Sequence, residues 1–125
     1  MRKIILKGKI NMTDCLFCKI SSGKIPAHIV FENDDVIAFH DIHPAAPTHL
    51  LVVPKKHIAT IDECEKQDEA LLGQMIWVAK TLATQNNLSD PGYRLVFNVN
   101  SGGGQQVYHI HLHVLGGRQM TWPPG

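Results

Sequence analysis

The sequence predicts an α+β fold, an antiparallel sheet of about five strands with one long helix packed on it. Two observations carry this. Extended, β-branched and aromatic runs flank the middle of the chain, at His28 to Glu32, Val36 to Ile42 and His49 to Val53 before it, and at Tyr93 to Val99 and Val107 to Leu115 after it. Between them, Leu71, Leu72, Met75, Ile76, Ala79, Leu82 and Ala83 recur at three- and four-residue spacing, which gives one apolar stripe on a helix. Short connections between successive strands favour antiparallel neighbours.

Cys15 to Gly23 reads as a compact turn or short helix, ended at Lys24-Ile25-Pro26 because Pro26 biases its predecessor toward extended geometry. Asn33-Asp34-Asp35 is turn chemistry and joins the first two strands as a hairpin. Pro44-Ala45-Ala46-Pro47 is a loop, and the strand from His49 is ended by Pro54. Asp62 with Glu65 has the form of a capping box, from which the helix runs toward Asn87. Asp90-Pro91-Gly92 stops the helical region. Ser101 to Gly104 is a glycine turn, and the prolines of the tail Thr121-Trp122-Pro123-Pro124-Gly125 exclude regular structure. Met12 is followed by Thr-Asp-Cys, so residues 1–12 are set apart as an N-terminal extension, expected to be disordered, and residues 13–125 form one domain.

The chain has 125 residues, 44% of them hydrophobic, enough for one core. Twelve basic against eleven acidic residues leave a net charge of +1, which gives no field that would draw the whole protein onto nucleic acid or an anionic membrane. No window approaches the roughly 18 consecutive apolar residues of a membrane span, and the first residues lack a signal peptide's apolar core, so a cytoplasmic location is expected. Three cysteines do not make a closed disulfide framework. Cys15-Leu16-Phe17-Cys18 has the spacing of half a structural zinc site or a redox pair, and two buried free thiols are the alternative. Cys64 has no evident partner.

Tyr108-His109-Ile110-His111-Leu112-His113-Val114 alternates strictly. On a strand this puts three imidazoles on one face, about 6.5 to 7 Å apart along the chain, with Ile110, Leu112 and Val114 on the other. Imidazole titrates near neutrality and can act as neutral nucleophile, proton carrier or cationic phosphate contact. A polar strand face and a histidine metal site fit the same spacing. The preceding glycines would let backbone N–H groups converge on an anion.

His109-Ile110-His111-Leu112-His113-Val114-Leu115 resembles the His-x-His-x-His-x-x signature of the histidine-triad superfamily. Phe39-His40-Asp41-Ile42, Ala46-Pro47-Thr48-His49, Val53-Pro54-Lys55-Lys56-His57, Asn98, Gly104-Gln105, Leu115 to Met120 and Trp122 to Gly125 are similar to its nucleoside phosphoramidase (HINT) branch. The resemblance implies that His111 is the nucleophile, forming a nucleotidyl-imidazole that water then hydrolyses, with His113 at the α-phosphate and His109 and His49 completing the catalytic set. It implies that Asp41 accepts the ribose hydroxyls, that Phe17, Ile20, Phe39, His40 and Ile42 wall the base, and that Asn98, Gly104, Gln105, Gln106 and Val107 lie at the phosphate. Backbone donors near Gln105 and Val107 would hold the non-bridging oxygens. From the residues alone, Phe17, Ile20, Phe39 and Ile42 read as core packing, and Asp41 equally as a solvated turn residue.

Gln106 departs from the serine of the eukaryotic enzymes, which puts one side-chain phosphate contact in doubt. In a related branch a Cys pair binds zinc with two histidines matching His49 and His109, so a structural zinc on Cys15, Cys18, His49 and His109 is expected, with no cofactor needed for catalysis. His28, His43 and His57 read as surface or loop histidines. The resemblance further implies a homodimer with one continuous sheet, Trp122 reaching toward the partner's site, and purine nucleoside monophosphates, their phosphoramidates or adenylate conjugates as ligands. The competing readings are a nucleotide-binding regulator with little catalysis, and a zinc hydrolase using all three histidines.

Overall fold

The computed structural model describes residues 14–125, so the expected N-terminal extension lies outside the described residues. Helix α1 spans Leu16–Ser21. Strands β1 (Ile29–Glu32), β2 (Val36–His40) and β3 (Thr48–Pro54) follow. Helix α2 spans Glu69–Gln85, and β4 (Tyr93–Val96) and β5 (Leu112–Gly116) complete the domain. The five strands form one antiparallel sheet in the order β1-β2-β3-β5-β4.

The two-residue period of the strands sorts side chains into two cores. Val36, Ala38, Leu50, Val52, Leu112 and Val114 face α2 and pack against its Met75, Val78, Ala79, Leu82 and Ala83. Ile37, Phe39, Leu51 and Val53 face the other way, where Cys15, Phe17 and Ile20 from the start of the chain cover them. The side chain of Cys15 accepts from the Cys18 N–H and so caps α1. The site is built on this second face.

Four expectations are corrected. Ile76 is 47% exposed and Val78 takes a place in the core instead. The long helix begins later than expected, after two 3-10 turns at Ile61–Glu63 and Lys66–Asp68. The reciprocal cap is formed by Glu65 and Asp68, not by Asp62 and Glu65, because Asp68 accepts from the Glu65 N–H at 2.8 Å and is held by Lys56 Nζ at 2.7 Å. The last strand is shorter than the histidine alternation suggests. Its ladder with β3 ends at Val52↔Leu112; two residues on, Ile110 would face Pro54, which has no N–H to donate, and the Ile110 N–H donates to the Ile58 carbonyl instead. His109 and His111 therefore precede β5, and only His113 lies within it.

Two glycines at the end of β5 lie in close approach to their neighbours. A Cβ on Gly116 would lie 2.6 Å from the Leu88 side chain, and Gly117 combines a φ of +93° with a hypothetical Cβ 2.8 Å from Pro47. The second contact seats the 44–47 loop against the end of β5, beside the histidines.

Candidate active site and a neighbouring Cys/His cluster

A cleft of about 450 Å³ opens on the α1 side of the sheet, a volume typical of small-molecule sites. Phe17, Ile20, Phe39, His40, Asp41, Ile42, Asn98, Gly104, Gln106, Val107, His49, His111 and His113 all line it. The register explains part of this convergence: Phe39 pairs with Leu51, and Leu51 with His113, so one cross-strand row leads from the apolar wall to the last histidine. Phe17 meets the Phe39 ring edge-on at 5.6 Å and the His111 ring at 5.1 Å, fixing both. Ile42 is 83% exposed, and so belongs to the mouth of the cleft.

Two expected residues fall elsewhere. Trp122 is 82% exposed and does not line the cleft of its own chain. Gln105 is buried, and its side chain is committed to the loop: Nε2 donates to the carbonyls of Ala59 and Val107 at 2.7 and 3.0 Å, and Oε1 accepts from the Asn100 N–H at 2.9 Å. Its own N–H donates to the Asn100 carbonyl at 3.0 Å and cannot serve a phosphate. Leu16, Ile25, Pro26, Ala27, His43 and Leu51 line the cleft without having been anticipated. Their apolar or loop character carries no signal beyond core and turn.

Backbone partners fix the histidine tautomers. His111 Nδ1 donates to the carbonyl of His109 at 2.8 Å, which leaves the Nε2 lone pair free on a ring that lines the cleft. His49 Nδ1 accepts from the Ala45 N–H at 3.0 Å, so its hydrogen sits on Nε2, 2.8 Å from His113 Nδ1. His113 Nδ1 thus accepts and Nε2 carries the hydrogen; that buried Nε2 has no hydrogen-bond partner. Burial pushes His49 and His111 below the usual histidine range, and burial with the neighbouring imidazoles of His111 and His49 takes His113 to about 4. All three are neutral near pH 7. The arrangement presents one free imidazole lone pair and one unpaired imidazole donor on adjacent rings, 5.0 Å between centroids.

His109 points away from the cleft. Its Nε2 donates to the Pro54 carbonyl at 2.8 Å, so the Nδ1 lone pair faces Cys15 Sγ at 3.3 Å, Cys18 Sγ at 3.5 Å and His57 Nδ1 at 3.1 Å. Cys18 Sγ is also 3.4 Å from His57 Nδ1. A tetrahedral zinc with bonds of about 2.0–2.1 Å to nitrogen and 2.3 Å to sulfur needs N···N near 3.3 Å and N···S near 3.6 Å, and the donors stand close to these separations. Burial together with Cys15 pushes the Cys18 thiol up to about 11. The grouping is Cys15, Cys18, His57 and His109, which corrects the expected His49: that residue sits with Asp41 and His113 across the cleft. His57 was legible only as a histidine three residues past a strand end, a position that reads as surface until Pro54 and His109 are known to meet.

Residues 22–120 match the HIT domain family. The chain belongs to the HIT family. It superposes on a crystal structure of an HIT family hydrolase from Legionella pneumophila Philadelphia 1 with a TM-score of 0.88 at 66% identity, covering 89% of this chain and 99% of that one. A histidine triad nucleotide-binding protein from Candida albicans gives a TM-score of 0.74 at 30% identity, over 87% of this chain and 82% of the other. The 14 kDa zinc-binding protein of Zea mays is 44% identical over 119 residues, 94% of this chain and 92% of the maize protein. The HIT fold accounts for the five-stranded sheet with α2 packed on it, and the Cys/His cluster of this member is compatible with a structural zinc. Among the described residues, no helix is long and apolar enough to cross a membrane.

Proposed function

We propose that this HIT protein hydrolyses the P–N bond of purine nucleoside 5'-phosphoramidates, and the P–O bond to the acyl group of related aminoacyl-adenylates, through a nucleotidyl-histidine intermediate. The observation that carries the reading is the His111 Nδ1 bond to the His109 carbonyl, which presents Nε2 as an uncharged nucleophile. Support also comes from similarity to an HIT family hydrolase and to a histidine triad nucleotide-binding protein.

The base lies among Phe17, Ile20, Phe39 and Ile42, with His40 at the rim, and the ribose diol donates to Asp41. The Asp41 carboxylate is already oriented, because Oδ1 accepts from the His43 N–H at 2.8 Å. The α-phosphate meets His113 Nε2–H, with Asn98 beside it and the N–H groups of Gln106 and Val107 as backbone donors; Gly104 keeps the turn open with a φ of +84°. His111 Nε2 attacks phosphorus, the P–N bond breaks, and the amine takes up a proton as it leaves. Water then attacks the nucleotidyl-histidine, releasing the monophosphate and restoring the imidazole.

Cys15, Cys18, His57 and His109 would hold a structural zinc, which supplies cross-linking of α1 to the residues around Pro54 and no step of the reaction. A homodimer is part of this reading: Ile76 and Trp77, 47% and 66% exposed on the outer face of α2, are apolar surface suited to a second copy. The deciding experiment is hydrolysis of a fluorogenic adenosine 5'-phosphoramidate beside the His111→Asn variant. Turnover lost in the variant with nucleotide binding retained supports the mechanism; equal turnover removes His111 as nucleophile, and an inactive wild type that binds nucleotide favours a regulatory role.

A further inference from the structure

The hydrogen on His49 Nε2 is donated to His113 Nδ1 at 2.8 Å, and Asp41 Oδ2 lies 3.4 Å from the same nitrogen as a charged neighbour. Its donor cannot reorient, since the Ala45 amide can only donate and holds Nδ1 as an acceptor at 3.0 Å. Ala45 is itself pinned, its carbonyl accepting from Arg118 Nε at 3.0 Å, and His49 is 6% exposed. The Asp41 carboxylate is held through its other oxygen by the His43 N–H, so Oδ2 is the oxygen shared between His49 and whatever enters the cleft.

We propose, resting on the nucleotide reading above, that His49 is a positioning residue that couples sugar recognition to the phosphate site. When ribose hydroxyls donate to Asp41 Oδ2, the carboxylate draws less on the His49 hydrogen and the bond His49 already makes to His113 Nδ1 tightens. An imidazole that accepts more strongly at Nδ1 donates more strongly at Nε2, by the mutual polarisation of hydrogen bonds in a chain. The unpartnered His113 Nε2–H is therefore strengthened as a donor to the phosphate only when a ribose is in place. A carboxylate that merely anchors the sugar would affect binding alone; this arrangement makes the diol contribute to the chemical step.

The test compares adenosine 5'-phosphoramidate with its 2'-deoxy and 3'-deoxy analogues in the wild type and in His49→Gln. In the wild type, loss of a hydroxyl lowers kcat by about fivefold or more, in addition to raising KM. In His49→Gln, whose own kcat is lower, the ribose-to-deoxyribose ratio of kcat falls to within about twofold. A sugar effect confined to KM in the wild type, or a kcat ratio unchanged in the variant, overturns the coupling while leaving the phosphoramidase reading intact. Long-range ¹⁵N correlation spectra of the free wild-type protein supply a readout independent of turnover: His49 and His113 are both expected as Nε2–H tautomers, and a His49 with its hydrogen on Nδ1 overturns the proposal. Adding adenosine monophosphate shifts the His113 nitrogens more than deoxyadenosine monophosphate does; the absence of both turnover and any shift would overturn the nucleotide reading itself.

Discussion

The side-chain amide of Gln105 donates to the carbonyl of Ala59 at 2.7 Å, joining the glycine turn to a segment 46 residues earlier in the chain. The same side chain closes bonds with Asn100 and Val107, so the turn that frames the phosphate end of the cleft is held from inside rather than by its glycines. Replacing Gln105 by Ala removes three hydrogen bonds, the one to Ala59 buried and the other two partly buried, and a loss of about 1–3 kcal/mol is expected in urea unfolding. Because the bonds frame the site, nucleotide affinity should fall as well. Unchanged stability would mean that water replaces the amide.

Attack requires neutral His111, and burial lowers its pKa from the usual histidine value. Lowering keeps the neutral form present at more acidic pH, so kcat/KM for a phosphoramidate should stay level as pH falls past about 6.5 and decline only below it. An acid limb centred at or above pH 6.5 would contradict the burial of the nucleophile.

Stability should follow the sign set by His113. Its pKa is near 4 in the folded protein and near 6.5 in the unfolded chain, so between these values the unfolded chain binds more protons. The contribution is complete above about pH 6.5 and is lost as pH falls toward 4. Denaturant midpoints of chelator-treated protein across that window check it, and the slope should shrink in His113→Phe.

Zinc content separates the two histidine groupings. About one zinc per chain is expected in protein purified without chelator, lost in His57→Ala and in Cys18→Ala but kept in His49→Gln. Zinc lost from the His49 variant and kept in the His57 variant would reverse the assignment. Metal removal should lower Tm without changing the turnover of chains still folded.

The outer face of α2 gives a contrast with its inner face. Met75 is fully buried, and Met75→Ala should cost about 2–5 kcal/mol through the cavity it leaves. Trp77→Glu should leave the chain folded but shift sedimentation from dimer to monomer; a Trp77 variant that sediments as the wild type does would remove this face from the interface.

The periodic signals in the chain were those that burial imposes locally. The continuous apolar runs of Val36 to Phe39 and Leu50 to Val53 are dictated by a core on each face of the sheet, the spacing of Met75, Ala79, Leu82 and Ala83 by one face of a helix, and each element is present. Ends were harder, because they depend on partners distant in sequence. β5 begins only at Leu112 because two residues earlier the Ile110 N–H turns to the Ile58 carbonyl rather than to β3, and α2 starts at Glu69 since Asp68 is taken by Lys56 and Glu65. The site followed the same division. His111 and His113 were legible from one strand's pattern together with a family resemblance, whereas the choice of His57 over His49 depends on which way two loops fold.

His109 serves the nucleophile and the thiol cluster with different atoms: its carbonyl holds His111 and its ring faces Cys15 and Cys18. The main-chain contribution does not depend on which side chain stands at 109. Evolution could therefore discard the cysteines, and with them the histidine ring, without dismantling the device that orients His111. The cluster and the chemistry are inherited in one segment yet can drift apart, each under its own selection.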